Sequence, residues 1–125
     1  MKKFAIFSAV SMAALAVYML VSIAFAHSAL ETSNIADGQV FSLATVPGEV
    51  HLNFTEEIDP HRSAVYVVKV HGSQLVDKGD TVIDGSSMKI SMNALDEGVY
   101  QITWISVTPD DAGFKSGTIT FSVHF

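Results

Sequence analysis

The sequence has 125 residues, no cysteine, and 13 acidic against 7 basic side chains, which gives a formal net charge of −6. This length suits one small domain, and the acidic balance argues against nucleic acid as a partner. The absence of cysteine excludes disulfide bonds and thiolate metal sites, so any metal must be held by nitrogen, carboxylate or thioether donors.

The first 26 residues have the pattern of a secretory signal peptide. Lys2 and Lys3 precede a long apolar segment that ends in Ala-Phe-Ala, and such a segment with a small-x-small end is typical of a cleaved leader. Cleavage after Ala26 would leave residues 27–125 as one soluble domain, with a charge of about −8 because both leader lysines are lost. The apolar segment is also long enough to remain as an uncleaved membrane anchor. The Ala-x-Ala site and the polar chain that follows favour cleavage.

Cleavage at this point would make His27 the amino-terminal residue. An amino-terminal histidine offers its α-amine and its ring Nδ1 to one ion, closing a six-membered chelate ring. The α-amine has a reference pKa of roughly 8, so a metal can displace its proton near neutral pH. Imidazole binds copper, zinc, nickel and iron. The leader junction therefore suggests a metal site, although a terminal histidine can also be incidental.

From His27 onward the chain consists of short apolar segments separated by turn residues, such as Asp37-Gly38 and Asp84-Gly85. Residues 50–55 alternate strictly between apolar and polar side chains, which predicts a half-buried strand with His51 facing water. Residues 64–70 are apolar on both faces, as in a central strand.

The longest predicted strand covers residues 99–107, where Tyr100, Ile102 and Trp104 share the core face. The last strand starts at Gly117 and places alternate apolar residues, ending at Phe125, toward the core. About seven strands of this kind predict an all-β fold, a Greek-key antiparallel sandwich or barrel of the Ig-like or cupredoxin-like type.

The five histidines do not stand at metal-ligand spacing. His51 and His124 are predicted on outward strand faces, and His61 and His71 in loops. Met88 and Met92 share one strand face, where packing is a better explanation than a thioether copper site.

The polar loop after the Trp104 strand contains adjacent carboxylates, Asp110 and Asp111. An ordinary acidic turn would explain them, and so would a cation site. The sequence has no nucleophile motif and no phosphate-binding glycine loop, so an enzyme is not predicted.

Four segments in chain order resemble the CopC/PcoC-type periplasmic copper-binding proteins. Residues 33–38 are similar to the family's Ser-x-Pro-Ala-Asp-Gly turn, with Ile35 in place of proline. Residues 46–56 resemble its Pro-x-x-hydrophobic-x-Leu-x-Phe-Ser-Glu strand. Residues 95–104 resemble Leu-x-x-Gly-x-Tyr-x-Val-x-Trp, and residues 117–123 resemble the closing Gly-x-x-x-Phe-x-Val. The resemblance covers residues 27–125 and implies a small β-sandwich in the periplasm.

The resemblance also implies a copper(II) site. In the family, the terminal histidine is joined by an Asp-x-His sequence in the loop after the Trp strand. Asp111 matches that aspartate, Asp110 is an additional carboxylate, and Gly113 stands where the second imidazole is expected. His27 and Asp111 would then hold Cu(II), with water, Asp110 or another histidine in the vacant position.

The leading interpretation is a periplasmic copper carrier or buffer, not an enzyme. The alternative is a CopC-like interaction module that works with a copper-transporting inner-membrane partner and has lost its metal site. Copper monooxygenases also begin with a histidine, but they need a second histidine that this loop lacks.

Overall fold

Two β-sheets packed face to face make up the fold of residues 28–110 and 113–125, which are the residues that the computed structural model describes. Its nine strands are β1 (Leu30–Ser33), β2 (Gln39–Ser42), β3 (Glu49–Phe54), β4 (Ala64–Lys69), β5 (Gln74–Leu75), β6 (Val82–Asp84), β7 (Ser87–Ser91), β8 (Gly98–Val107) and β9 (Phe114–His124). The strand order is β1-β3-β7-β6 in one sheet and β2-β9-β8-β4-β5 in the other. The predicted all-β sandwich is confirmed, and it is not a closed barrel.

The β8–β9 hairpin supplies the centre of the core. Tyr100 and Ile102 are fully buried and Trp104 is 8% exposed, as the alternation predicted. The Tyr100 ring stacks on Phe121 of β9 with the ring centroids 5.4 Å apart. Alternate residues of β3 meet them from the opposite sheet, where Leu52 is 1% exposed. A strand with period-two alternation places one row of side chains in the core, so both sheets share one apolar layer.

The sequence predicts an antiparallel sandwich, but one strand pair of the structure is parallel. β2 runs parallel to β9, with Phe41 opposite Val123. The chain reaches β2 from the other sheet through the turn at Gly38, which has a φ of 81° and donates its N–H to the Thr120 carbonyl. This connection crosses between sheets, so no tight hairpin forces β2 to run antiparallel to its neighbour.

Three other details of the sequence prediction differ from the structure. The described residues form nine strands where about seven were predicted, because the polar segment β1 pairs with β3 and several strands are very short. β9 begins at Phe114, three residues before the predicted start. Phe125 follows the end of β9 and is 89% exposed. β4 lies between β8 and β5, which confirms its prediction as a central strand, but its outer face is open, since Tyr66 is 49% exposed.

Candidate metal centre

Several chain segments meet at one end of the sandwich, which we call the loop end. It comprises Ser28, residues 55–63 and residues 106–110. Hydrogen bonds connect these segments: the Ser106 hydroxyl donates to the Ser28 carbonyl at 2.7 Å, and the Asp59 N–H donates to the Val107 carbonyl. The start of the described chain and the start of the β8–β9 loop therefore lie at the same end of the fold.

Ser28 is held by both its side chain and its backbone. Its hydroxyl donates to the Glu56 carbonyl at 2.8 Å and accepts the Glu56 N–H at 3.0 Å. Ser28 and Ser106 are both fully buried. A buried hydroxyl without a partner costs free energy, so the mutual bonds of Ser28, Glu56 and Ser106 define one position for this part of the chain.

Arg62 holds the first residues of the loop. Its guanidinium donates to the carbonyls of Thr108 at 3.3 Å and Pro109 at 3.2 Å, and its Nε donates to Asp59. The Arg62 hydrogen bond and the backbone N–H of His61 lower the pKa of the Asp59 carboxyl below its usual value. An ionised Asp59 therefore orients Arg62, and Arg62 orients the loop.

The structure describes one of the three predicted metal ligands. Asp110 is exposed in the turn that follows Pro109. His27 and Asp111 lie outside the described residues. Gly113, which stands where the resemblance implies a second imidazole, is half-buried directly before β9. Within residues 28–110 and 113–125, no three His, Asp or Glu side chains form a group that could hold a metal ion.

The fold sorts the four described histidines by position. His71 follows β4 and His124 ends β9, so both lie at the end of the sandwich opposite the loop end. β8 connects the two ends and, at about 3.3 Å per residue, it separates them by about 30 Å. His51 lies on the outer face of β3 with its Nε2 2.8 Å from a Glu49 carboxylate oxygen. The predicted surface positions of His51 and His124 are thus confirmed.

His61 is the one histidine of the described residues that lies at the loop end. It is exposed, and its N–H donates to Asp59 at 2.8 Å, while the next residue, Arg62, contacts the loop. From the sequence, His61 is predicted to be a plain surface residue in a loop. Sequence spacing could not have selected it, because His61 and Asp111 are 50 positions apart and only the pairing of β4 with β8 brings their segments together.

Glu56 is a second loop-end residue that is not among the ligands predicted from the sequence. Both of its backbone hydrogen-bonding groups bind the Ser28 hydroxyl, and its side chain is exposed. The signal that could have identified it is the end of the alternating β3 pattern, directly before two glutamates. The loop end therefore presents carboxylates and an imidazole, which is a nitrogen and oxygen donor set that suits Cu(II).

The two core-facing methionines are not available as ligands. Met88 and Met92 are 1% and 5% exposed and belong to the apolar core. Their predicted packing role is confirmed. A thioether in the core cannot reach an ion at the surface without local opening of the sandwich, so these residues do not form a copper(I) site.

Comparison with known proteins agrees with the resemblance noted in the sequence. The structure superposes on that of PcoC, a methionine-rich copper resistance protein from Escherichia coli, with a TM-score of 0.65 and 28% identity, covering 79% of this chain and 100% of that one. It also superposes on CopC from Methylosinus trichosporium OB3b with a TM-score of 0.64, 20% identity and coverage of 78% and 93%. Among curated protein sequences, none matches this chain. The family model described as the CopC domain matches residues 30–124, so the chain belongs to the CopC family.

Proposed function

We propose that the chain is exported, cleaved after Ala26, and acts in the periplasm as a copper(II) carrier or buffer. In this proposal His27 and Asp111 hold the ion and Asp110 lies beside them. Two findings support a role in copper handling: the chain belongs to the CopC family, and the similar PcoC is a copper resistance protein.

One observation carries the proposed site: the hydrogen bond between the Ser28 carbonyl and the Ser106 hydroxyl. Ser28 directly follows His27, and consecutive Cα atoms are 3.8 Å apart. Ser106 lies on the strand that leads into the Asp110-Asp111 loop. The bond therefore ties together the two chain segments that carry the proposed ligands, although these are more than 80 positions apart in the sequence.

The chemistry of the proposed ligands suits Cu(II), which is the ion carried and not a resident cofactor. The α-amine and ring Nδ1 of His27 would form a chelate, and the Asp111 carboxylate would add an oxygen donor and negative charge. Cu(II) favours four such donors in a tetragonal plane. With Gly113 in place of an imidazole, one position of that plane is left to another group.

We propose that His61 supplies the missing imidazole. The loop end brings His61, through Asp59 and Arg62, to the same segment that carries Asp110. His71 and His124 are at the opposite end of the sandwich, and His51 is bound to Glu49 on an outer face. Glu56 is the alternative donor, and it would give an oxygen ligand where His61 gives a nitrogen.

The test of the terminal site compares cleaved protein that begins at His27 with the same protein acetylated at the His27 α-amine. Each is titrated with Cu(II), and circular dichroism checks that both are folded. We expect acetylation to abolish most of the binding, because it converts the α-amine into an amide and adds no new amine. Equal affinities would contradict the chelate, and no binding by either protein would favour the interaction-module alternative.

The test of His61 uses electron paramagnetic resonance of the Cu(II)-loaded protein. We expect His61→Gln to remove one nitrogen from the hyperfine pattern and to weaken binding by about tenfold, or about 1.4 kcal/mol. His71→Gln is the matched control and should change neither quantity. If His61→Gln leaves the nitrogen count unaltered and Glu56→Gln lowers the affinity, then Glu56 and not His61 occupies the fourth position of the Cu(II) plane.

A further inference from the structure

The outer face of the five-stranded sheet has no charged side chain along its central strands. On β8 the outward residues are Val99, Gln101, Thr103 and Ile105, which alternate with the buried Tyr100 series. Register places Tyr66 of β4 and Thr118 of β9 on either side of Thr103. Between the first and last residues of β4, β8 and β9, no outward-facing residue is Asp, Glu, Lys or Arg. We call this surface the uncharged face.

Large apolar side chains lie open on the uncharged face. Tyr66 is 49% exposed, Val99 46% and Ile105 37%, and at the edge Leu75 of β5 is 59% exposed. Single exposed apolar residues are ordinary, but a contiguous group framed by uncharged polar residues marks an interaction surface. The threonines beside them favour strands and can exchange hydrogen bonds with another polar surface.

The outer face of the other sheet is a control within the same molecule. Its outward residues include Glu49 of β3, Lys89 of β7 and Asp84 of β6, all of which are exposed. That face has the charged composition expected of a sheet in contact with water. The absence of charge is thus a property of one sheet and not of the whole surface of this acidic protein.

The sequence of β4 independently indicates that the uncharged face is covered. Residues 64–70 are apolar on both sides, a pattern that normally occurs in strands buried on both faces. The structure covers the inner side of β4, with Val65 and Val67 buried, and leaves Tyr66 open. The outer side of β4 therefore lacks the packed layer that its apolar sequence predicts.

We propose that a second copy of this chain covers the uncharged face, as a two-fold symmetric dimer with Thr103 near the axis. Charge favours this partner. Each exported copy would carry about −8, so most ways of bringing two copies together oppose acidic groups, and the uncharged face avoids this repulsion. In a two-fold interface, the same surface patch of both partners meets its own copy. An uncharged patch with exposed hydroxyl and apolar groups can do so without opposing like charges.

The area of the uncharged face fits a stable dimer. The five strands of this sheet contain 33 residues, and each residue covers roughly 3.3 Å along its strand and 4.8 Å across the sheet. The projected area of the face is thus roughly 500 Å², and protruding side chains raise the accessible area toward the roughly 800 Å² per partner of a standard interface. Stacked sheets pack about 10 Å apart. The loop end lies at the strand ends, so this dimer leaves both loop ends open.

The test is sedimentation equilibrium of the purified protein from micromolar to near-millimolar concentration. We expect a reversible transition from monomer to dimer, and we expect high salt to strengthen it, because salt screens the repulsion between two acidic copies. A monomer at every concentration would overturn the proposal. Association that salt weakens would indicate a charged interface and would also overturn it.

Charged substitutions locate the interface. We expect Thr103→Lys to weaken the dimer at least tenfold, because symmetry places two lysines near each other. Asn53→Lys, an exposed change on the other sheet, is the matched control and should leave the dimer intact. Gln101→Glu serves as the second variant if Thr103→Lys does not fold. Mixing Thr103→Lys with Thr103→Glu should restore a mixed dimer. Dissociation by Asn53→Lys, or none by Thr103→Lys and Gln101→Glu, would contradict this interface.

Discussion

The ring of Trp104 lies directly over Gly117, its cross-strand partner on β9. A Cβ atom added at Gly117 would overlap carbons of the indole ring, and a ring in a packed core cannot move without displacing its neighbours. At the scale of the residue, this glycine is required by the tryptophan. The sequence alone does not show this requirement, because it does not indicate that Trp104 and Gly117 are cross-strand partners.

We therefore expect Gly117→Ala to destabilise the domain by about 1–3 kcal/mol, as overpacking does, and to alter the Trp104 emission. Urea unfolding followed by fluorescence measures both effects. Gly48→Ala is the control, since no atom lies within 4 Å of a Cβ added there and its φ is not positive. An unfolding midpoint shifted equally by the two variants would contradict the predicted overlap.

Gly113 is the other residue whose replacement is informative. If the proposed site is correct, Gly113→His adds the imidazole that the family pattern has, and Cu(II) affinity should rise tenfold or more, each factor of ten being worth about 1.4 kcal/mol. The same substitution in protein acetylated at the His27 α-amine should give a much smaller gain. A folded Gly113→His variant with unchanged affinity would mean that another residue already fills the position.

At the scale of the element, the loop end is held by hydrogen bonds outside the strand pairing, from side chains to backbone and between backbone groups. Arg62 is 46% exposed, and an exposed ion pair contributes little to global stability. Its function is local: it fixes the carbonyls of Thr108 and Pro109.

We expect Arg62→Gln to change the free energy of unfolding by less than about 1 kcal/mol, yet to speed amide exchange at residues 107–110. The pKa of Asp59 should rise toward its usual value, because Arg62 is the largest cause of its depression. Carboxyl titration by nuclear magnetic resonance measures this shift. Lys89→Gln removes the same charge on the other sheet. It should change neither the amide exchange of residues 107–110 nor the pKa of Asp59.

At the scale of the whole molecule, a few hydrogen-bonded ionisable groups set the pH range of the fold. The pKa values of Asp59, Asp80 and Asp96 are lowered by bonds from Arg62, Ser91 and Lys69 respectively. Burial, together with the hydrogen bond to Asp96, raises the pKa of Tyr100 from 10.0 to about 12.

These shifts predict a loss of stability at both extremes of pH. Below about pH 4 the unfolded chain binds more protons than the folded one, so stability falls as the pH drops through the lowered aspartate pKa values. Between pH 10.0 and about 12 the unfolded Tyr100 ionises first, so stability falls again as the pH rises. Urea unfolding across this range measures both slopes, and Tyr100→Phe should flatten the alkaline one. An unchanged alkaline slope in that variant would assign it to other groups.

The all-β class, the turns at Gly38 and Gly85, and the core positions of Tyr100, Ile102 and Trp104 were determined by the sequence alone. The reason is that period-two alternation and turn glycines are local signals. Each depends on residues a few positions apart, and a strand that alternates must bury one face. The same local signals placed Met88 in the core and His51 at the surface.

The tertiary structure decided which distant segments meet. The parallel pairing of β2 with β9, the pairing of β1, and the exposure of Tyr66 all depend on contacts between residues far apart in the sequence. The same holds for the loop end, where Ser28 binds Ser106 and His61 lies beside Arg62 and the loop. The spacing of residues along the chain does not predict these contacts, because sheet order depends on which apolar faces can be buried and which strand edges can be hydrogen-bonded at the same time.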